Sequence, residues 1–214
     1  MAQLTQDFFQ IILTVEGGYQ NRADDSGNYN SCGQLVGTNM GVSAVAYSNW
    51  TGRCPSAAEM KGITQEVAFN FYAWYFHVFN CYKIENQQLA ELCMNNTMGS
   101  PSGAAKAEQR ALKKLGYTVS VDGSRGTQTL QALNSAAKKN MQELYNSIRE
   151  EWIKHLNSIN KPQFLSVWMR RLDEYFPALE NTGNNGQGDG DGKEVMASMV
   201  MLPILLFVGY QVFK

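Results

Sequence analysis

Residues Thr64 to Tyr82 are apolar on almost every side. Val67, Phe71, Trp74 and Tyr75 share one side of a predicted helix, and Phe69, Phe76 and Phe79 fill much of the rest. A helix without a polar stripe is stable only when neighbours surround it, so the chain must wrap other helices around this one. The 3.6-residue period marks them. Phe8, Phe9, Ile11, Ile12, Val15 and Tyr19 form one face of a helix from Phe8 to Tyr19, with Thr5 or Asp7 as its cap. Gln87 to Met98 is a second buried helix, and Met141, Leu144, Tyr145, Ile148, Trp152, Leu156 and Ile159 trace a long amphipathic one. A last helix follows Pro162, with Phe164, Leu165, Trp168, Leu172 and Phe176 inward and Arg170, Arg171, Asp173 and Glu174 on its solvated face. Pro55 and the capping box Ser56-Ala57-Ala58-Glu59 open a shorter helix. The expected class is mainly α.

The first helix runs into Glu16-Gly17-Gly18-Tyr19. Glu16 lies on the apolar face, just before a glycine pair suited to the left-handed stop of a helix. Apolar neighbours and the negative end of the helix dipole both raise a carboxyl pKa there, which is how a general acid is made from Glu at neutral pH. A solvent-facing Glu at a frayed helix end is the alternative. Gln20 to Thr38 is rich in Asn, Asp, Ser and Gly, and reads as a long loop or short hairpin. Met40 to Trp50 is an apolar helix or extended segment. Tyr47 and Trp50 in it are candidates either to line a binding cleft or to pack in the core.

Glu16-Gly17-Gly18-Tyr19, Asn21, Asp24-Asp25, Gly27 and Thr38-Asn39-Met40-Gly41-Val42-Ser43 resemble the start of the glycoside hydrolase family 108 lysozyme-like domain. The resemblance implies a lysozyme-like helical domain in which Glu16 is the catalytic acid for cleaving peptidoglycan glycan strands. Asp25, nine residues further on, matches the spacing of paired acids in many phage-type lysozymes, where the second carboxylate activates water or steadies the sugar cation. Asp24 competes with it, and turn capping by either is the structural alternative. Thr38 is expected to position a water or a sugar hydroxyl, with a purely structural role beside Asn39 as the alternative, and Tyr19, Asp24, Asn39, Tyr47 and Trp50 to contact substrate. The chain departs from the family pattern in extra residues around Tyr29 to Val36. On the helix from Gln87 to Met98 it carries Cys93 and Thr97 where relatives have Asp and Asn.

Gln109, Leu112, Gly116 and Val121-Asp122-Gly123-Ser124-Arg125-Gly126-Thr127-Gln128-Thr129-Leu130 resemble the peptidoglycan-binding half of the same family. Asp122 and the glycines suit a tight turn and Thr127 a helix cap; a structural corner without ligand is the alternative. The expected organisation is a catalytic region over residues 1–100, a peptidoglycan-binding-like region over 101–180, a linker over 181–192 and an anchor over 193–214.

The linker contains only Asn, Gly, Thr, Gln and Asp, cannot bury enough surface to fold, and as a flexible chain reaches on the order of 20 Å. Val195 to Phe213 follows without a charge. As a helix it covers roughly 28 Å, close to the thickness of a bilayer core. A single C-terminal pass through lipid is therefore expected, with a buried core helix as the competing reading. Lys193 and Lys214 flank it evenly and give no orientation.

Eighteen basic against 19 acidic residues give a net charge of −1, which argues against a nucleic-acid partner. With only His77 and His155, a zinc hydrolase is poorly supported, and neither metal nor cofactor is expected. Cys32, Cys54, Cys81 and Cys93 allow three pairings, with free buried thiols the simpler expectation. Met1 to Gln10 lacks the form of a secretory signal.

The function expected is cleavage of the β-1,4 bond between N-acetylmuramic acid and N-acetylglucosamine by hydrolysis or lytic transglycosylation, with the enzyme held at a membrane. The family resemblance joined to a terminal anchor suggests a bacteriophage protein of entry or lysis, acting on the wall from a virion or host membrane with other virion proteins as partners. A non-catalytic wall-binding or virion structural protein keeping the fold is the alternative. A cysteine amidase or peptidase, needing a thiolate–His pair, is a third.

Overall fold

A computed structural model describes residues 1–159 and 162–180. The architecture is mainly helical with one small two-stranded sheet. Helix α1 spans Gln6–Val15; a 3-10 turn at Ser26–Asn28 and strands β1 (Thr38–Asn39) and β2 (Val42–Ser43) follow. Then come α2 (Ala44–Thr51), α3 (Ala57–Lys61), α4 (Gln65–Val78), a 3-10 turn at Cys81–Lys83, α5 (Gln87–Gly99), α6 (Pro101–Lys114), α7 (Thr127–Ser158) and α8 (Pro162–Tyr175).

Thr5 caps α1, its hydroxyl accepting from Phe8 N, and Phe8, Phe9, Ile12 and Val15 are buried. The helix is shorter than the sequence pattern suggests. It stops because Glu16 itself takes an extended backbone, while its N–H still closes onto Ile12 O. The left-handed glycines of this region are Gly33, Gly37 and Gly41, not the Gly17-Gly18 pair. The loop after α1 is pinned by paired hydrogen bonds between Gln20 and Thr38, at 2.9 and 2.8 Å, and by a bridge from Tyr29 to Leu35. β1 and β2 are joined by Met40 and Gly41, with φ of 48° and 73°. Two positive φ values in a two-residue loop are the requirement of the hairpin turn that matches strand twist.

α4 lies in the interior, with Ala68, Phe71, Tyr72, Tyr75 and Phe76 buried. α5 is more enclosed still, every residue from Leu92 to Met98 being buried. One continuous apolar cluster runs from Ala2 and Phe8 through α4 and α5 to Leu144, Trp152, Leu172 and Phe176. The two halves of the chain therefore share a core. α7 breaks at Asn140, where φ is −157° and ψ 91°; the Asn140 side chain accepts from Glu143 N at 3.1 Å and recaps the helix. The break separates the two helical patterns read from the sequence. Gly126, with no side-chain bond, occupies the cap of α7, so Thr127 begins the helix rather than capping it.

α8 lies against α1, with Phe176 edge-on to Phe8 at 6.0 Å. Leu172 and Phe176 are buried as expected, but so is Arg171, at 8% exposure, contrary to its expected place on a solvated face. Its side chain is drawn inward by the carboxyl described below. The side chain of Phe164 lies outside what the structure describes. So does the expected transmembrane segment, residues 195–213, together with the 181–192 linker. Among the described residues no helix is long and apolar enough to cross a membrane.

Candidate active site

The end of α1 delivers Glu16 into an enclosed space whose walls come from four elements. The β1–β2 turn approaches so closely that a Cβ on Gly41 would stand 2.6 Å from Glu16 Oε2 and closer still to the Tyr72 hydroxyl. Only glycine fits there, for space as well as for its positive φ. Tyr72 of α4 donates to Met40 O at 3.0 Å, which fixes the turn against the helix. From α8, Arg171 brings Nη1 to 3.5 Å from Glu16 Oε1, with side chains only 8% and 3% exposed. At that length the pair is ionic rather than a well-formed hydrogen bond. Oε1 and Arg171 Nε both remain without a hydrogen-bond partner. Arg171 Nη2 lies 4.0 Å from Met98 Sδ of α5.

Burial pushes the Glu16 carboxyl up from its ordinary 4.5 to about 7, and Arg171 only partly opposes the rise. Burial likewise pulls the Arg171 guanidinium down against the raising effect of Glu16, and lifts the Tyr72 phenol well above its ordinary range, with Glu16 adding to the rise. Desolvation exceeds attraction for both members of the ion pair, as expected of a long, buried pair. A carboxyl with a pKa near 7 is half protonated at neutral pH and can deliver a proton to a leaving oxygen.

The other candidates are more engaged. Asp25, 5% exposed, caps the 3-10 turn, its Oδ1 accepting from Gly27 N and its Oδ2 from Gln20 Nε2, each at 2.9 Å. Asp24 is exposed and ion-paired with Arg22 at 2.5 Å, a bond that holds its carboxyl below the usual range. Thr38 is placed in the hairpin with Oγ1 buried and unpartnered. Asn39 Nδ2 donates to Met60 O and Lys61 O, at 3.0 and 3.1 Å, tying the hairpin to α3. The Tyr19 hydroxyl donates to Val36 O at 3.1 Å and its ring lies under Lys61 Nζ. Tyr47, buried, packs edge-on against the half-buried Trp50, which in turn meets Phe71.

Cys32 and Cys54 form a disulfide and Cys81 and Cys93 are free and buried, which corrects the expectation of four free thiols. The bridge ties the extra residues of the Tyr29–Val36 loop to the segment between α2 and α3. Burial pushes the Cys81 thiol up to about 11 and that of Cys93 well above its ordinary value, so the described residues hold no thiolate nucleophile. His77 stacks on Tyr82 at 4.3 Å, and among the described residues no His, Cys, Asp and Glu group could hold a metal.

The Asp122–Thr129 turn braces the halves. Arg125, 5% exposed, forks onto Glu108 at 2.6 and 2.5 Å and also reaches Thr97 Oγ1 at 2.6 Å, Phe79 O at 3.1 Å and Cys93 O at 3.2 Å. Thr97 and the Cys93 carbonyl thus hold this arginine. Asp122 accepts from Ser124 N and Gln109 Nε2. From sequence, Arg171 reads only as a solvated residue and Arg125 only as part of a turn motif, and Tyr72 has no assigned role. Arg171 lies three residues after Trp168 and four before Tyr175, a spacing that places it toward the core side.

Residues 9–100 match the family model described as Glycosyl hydrolase 108, and residues 103–173 match the one described as Predicted Peptidoglycan domain. Among solved structures, the chain is similar to that of Brucella abortus SagA, with 24% identity, a TM-score of 0.61, and coverage of 80% of this chain and 92% of that one. At that identity the likeness concerns the fold. Among curated protein sequences no significant match was found. The chain thus joins a glycosyl hydrolase 108 domain to a predicted peptidoglycan domain, and it is a glycoside hydrolase.

Proposed function

We propose that the protein degrades peptidoglycan by cleaving the β-1,4 bond between N-acetylmuramic acid and N-acetylglucosamine, with Glu16 as general acid. The observation that carries this reading is a carboxyl enclosed between the β1–β2 turn, Tyr72 and Arg171, where burial raises it to about 7. Oε1, without a hydrogen-bond partner, faces the Arg171 guanidinium at 3.5 Å, so the proton to be passed to the glycosidic oxygen is carried on Oε2, at the hairpin turn. With Glu16 only 3% exposed, the hairpin turn has to draw back for a glycan to reach it. Thr38 Oγ1, also unpartnered, is available to hold a water or sugar hydroxyl, and Tyr19, Asp24, Asn39, Tyr47 and Trp50 are the residues proposed to contact substrate.

After protonation two routes complete the reaction. Asp25 can serve as the second carboxylate of a hydrolase. A lytic transglycosylase, in which the muramic 6-hydroxyl closes on the same carbon, needs only one Glu, and it is favoured by the commitment of both Asp25 oxygens to Gly27 and Gln20. Mass spectrometry of digested peptidoglycan tests both: reducing ends support hydrolysis, 1,6-anhydro ends support ring closure, and undigested glycan refutes the proposal.

The Cys32–Cys54 bond supports action in an oxidising compartment outside the cytoplasm. The uncharged run at residues 195–213 beyond its Gly- and Asn-rich linker supports a tether to a membrane beside the wall, in a phage entry or host lysis role. Flotation of the full chain with lipid vesicles, and its loss on removal of residues 193–214, tests the tether.

A further inference from the structure

We infer that Arg171 is a positioning residue for Glu16, so that the last helix of the peptidoglycan half completes the catalytic centre of the glycosidase half. The inference rests on the reading of Glu16 as the acid. Its basis is geometric. Arg171 and Glu16 come from opposite ends of the described chain, are both buried, and meet at 3.5 Å; Glu16 is the one acidic residue with which Arg171 forms an ion pair among the described residues. Burying an arginine costs several kcal/mol unless a charge compensates it, and Arg171 is buried while Asp173 and Glu174 on the same helix are exposed.

The groups facing Glu16 define what Arg171 does. α8 presents Arg171, with Tyr175 facing the guanidinium in turn; α4 presents the Tyr72 phenol. The hairpin contributes the Gly41 backbone, and the uncharged Met98 of α5 faces the guanidinium rather than the carboxyl. Arg171 is therefore the cation that balances the carboxylate left when Glu16 gives its proton to the glycosidic oxygen. The C–O bond breaks with its electron pair on that oxygen, and the incoming hydroxyl returns a proton to Glu16. An interaction that strengthens as the carboxylate forms lowers the barrier rather than merely binding substrate. Because Arg171 favours the charged form, it also keeps the acid from becoming too weak to donate.

The test is a set of pH–rate profiles on purified peptidoglycan for the parent, Arg171→Met, Arg171→Gln and Arg171→Lys. A general acid works protonated, so activity falls as pH rises through its pKa. Both neutral variants should move that falling limb upward by roughly one pH unit or more, and Arg171→Lys should restore most of the shift. Folding of each variant is checked by circular dichroism. A measurement on the unmodified protein removes dependence on folding: the guanidinium nitrogen resonances of Arg171 should titrate with a midpoint of about 7, and lose that titration in Glu16→Gln. An unmoved limb in a folded neutral variant, or Arg171 signals flat across that range, overturns the assignment. An active Glu16→Gln would instead remove the functional reading itself, so the two failures are distinguishable.

Discussion

Gly41 and Glu16 are in contact across the gap between the hairpin turn and the end of α1, so close that any side chain at residue 41 would displace the carboxyl. Gly52 provides the control, because its φ is also positive, at 71°, but nothing lies within 4 Å of a Cβ there. Gly52→Ala should cost only the left-handed strain, about 1–2 kcal/mol, and leave activity near that of the parent. Gly41→Ala should cost more in thermal unfolding and lower activity at least tenfold, by roughly 1.4 kcal/mol of barrier or more. Equal activity in the two variants would contradict the contact's functional importance.

The pKa of Glu16 also fixes a stability trend. Its folded value, about 7, lies above its ordinary value of 4.5. A group raised in this way contributes stability that is complete below the unfolded pKa and is lost as pH rises through the folded one. Relative to Glu16→Gln, the parent should therefore lose on the order of 3 kcal/mol between about pH 4 and about pH 8, read from chemical unfolding at each pH. A flat difference would mean that Glu16 is hydrated.

Arg125 holds α4, α5 and α6 together from the interior. Arg125→Met leaves Glu108, itself completely buried, without its cation. Breaking one side of a buried pair costs about 3–5 kcal/mol. Chemical unfolding should show a loss of that size, whereas Arg53→Met, which breaks an exposed pair with Glu59, should leave stability essentially unchanged.

The Cys32–Cys54 bond spans 22 residues of sequence. Replacing both by Ser should lower stability by about 2–4 kcal/mol. Reductant should produce the same fall in melting temperature in the parent and no further fall in the double variant.

Much of this arrangement was readable from residue types. α4 announces itself as a central helix because Phe71, Trp74, Tyr75 and Phe76 leave no polar stripe, and the apolar face of α1 places Glu16 beside the core. Local chemistry also gave the Ser56–Glu59 capping box, whose two reciprocal bonds are present. What escaped was long-range. Nothing near Arg171 in sequence reveals that α8 returns to the end of α1, so a charged residue among Arg170, Asp173 and Glu174 read as solvated. The same holds for Arg125, whose partners Phe79, Cys93, Thr97 and Glu108 lie on three other elements. The helix stop was misread for a local reason: Gly17-Gly18 is permissive, but permission is not a requirement, and an extended Glu16 ended the helix first.

The most direct measurement is a peptidoglycan zymogram of the full chain beside Glu16→Gln at about pH 6, with both proteins shown to be folded. The account predicts a cleared band from the parent and none from the variant, since the amide keeps the shape of Glu16 but has no proton to give. Equal clearing by both, or clearing by neither, would contradict it.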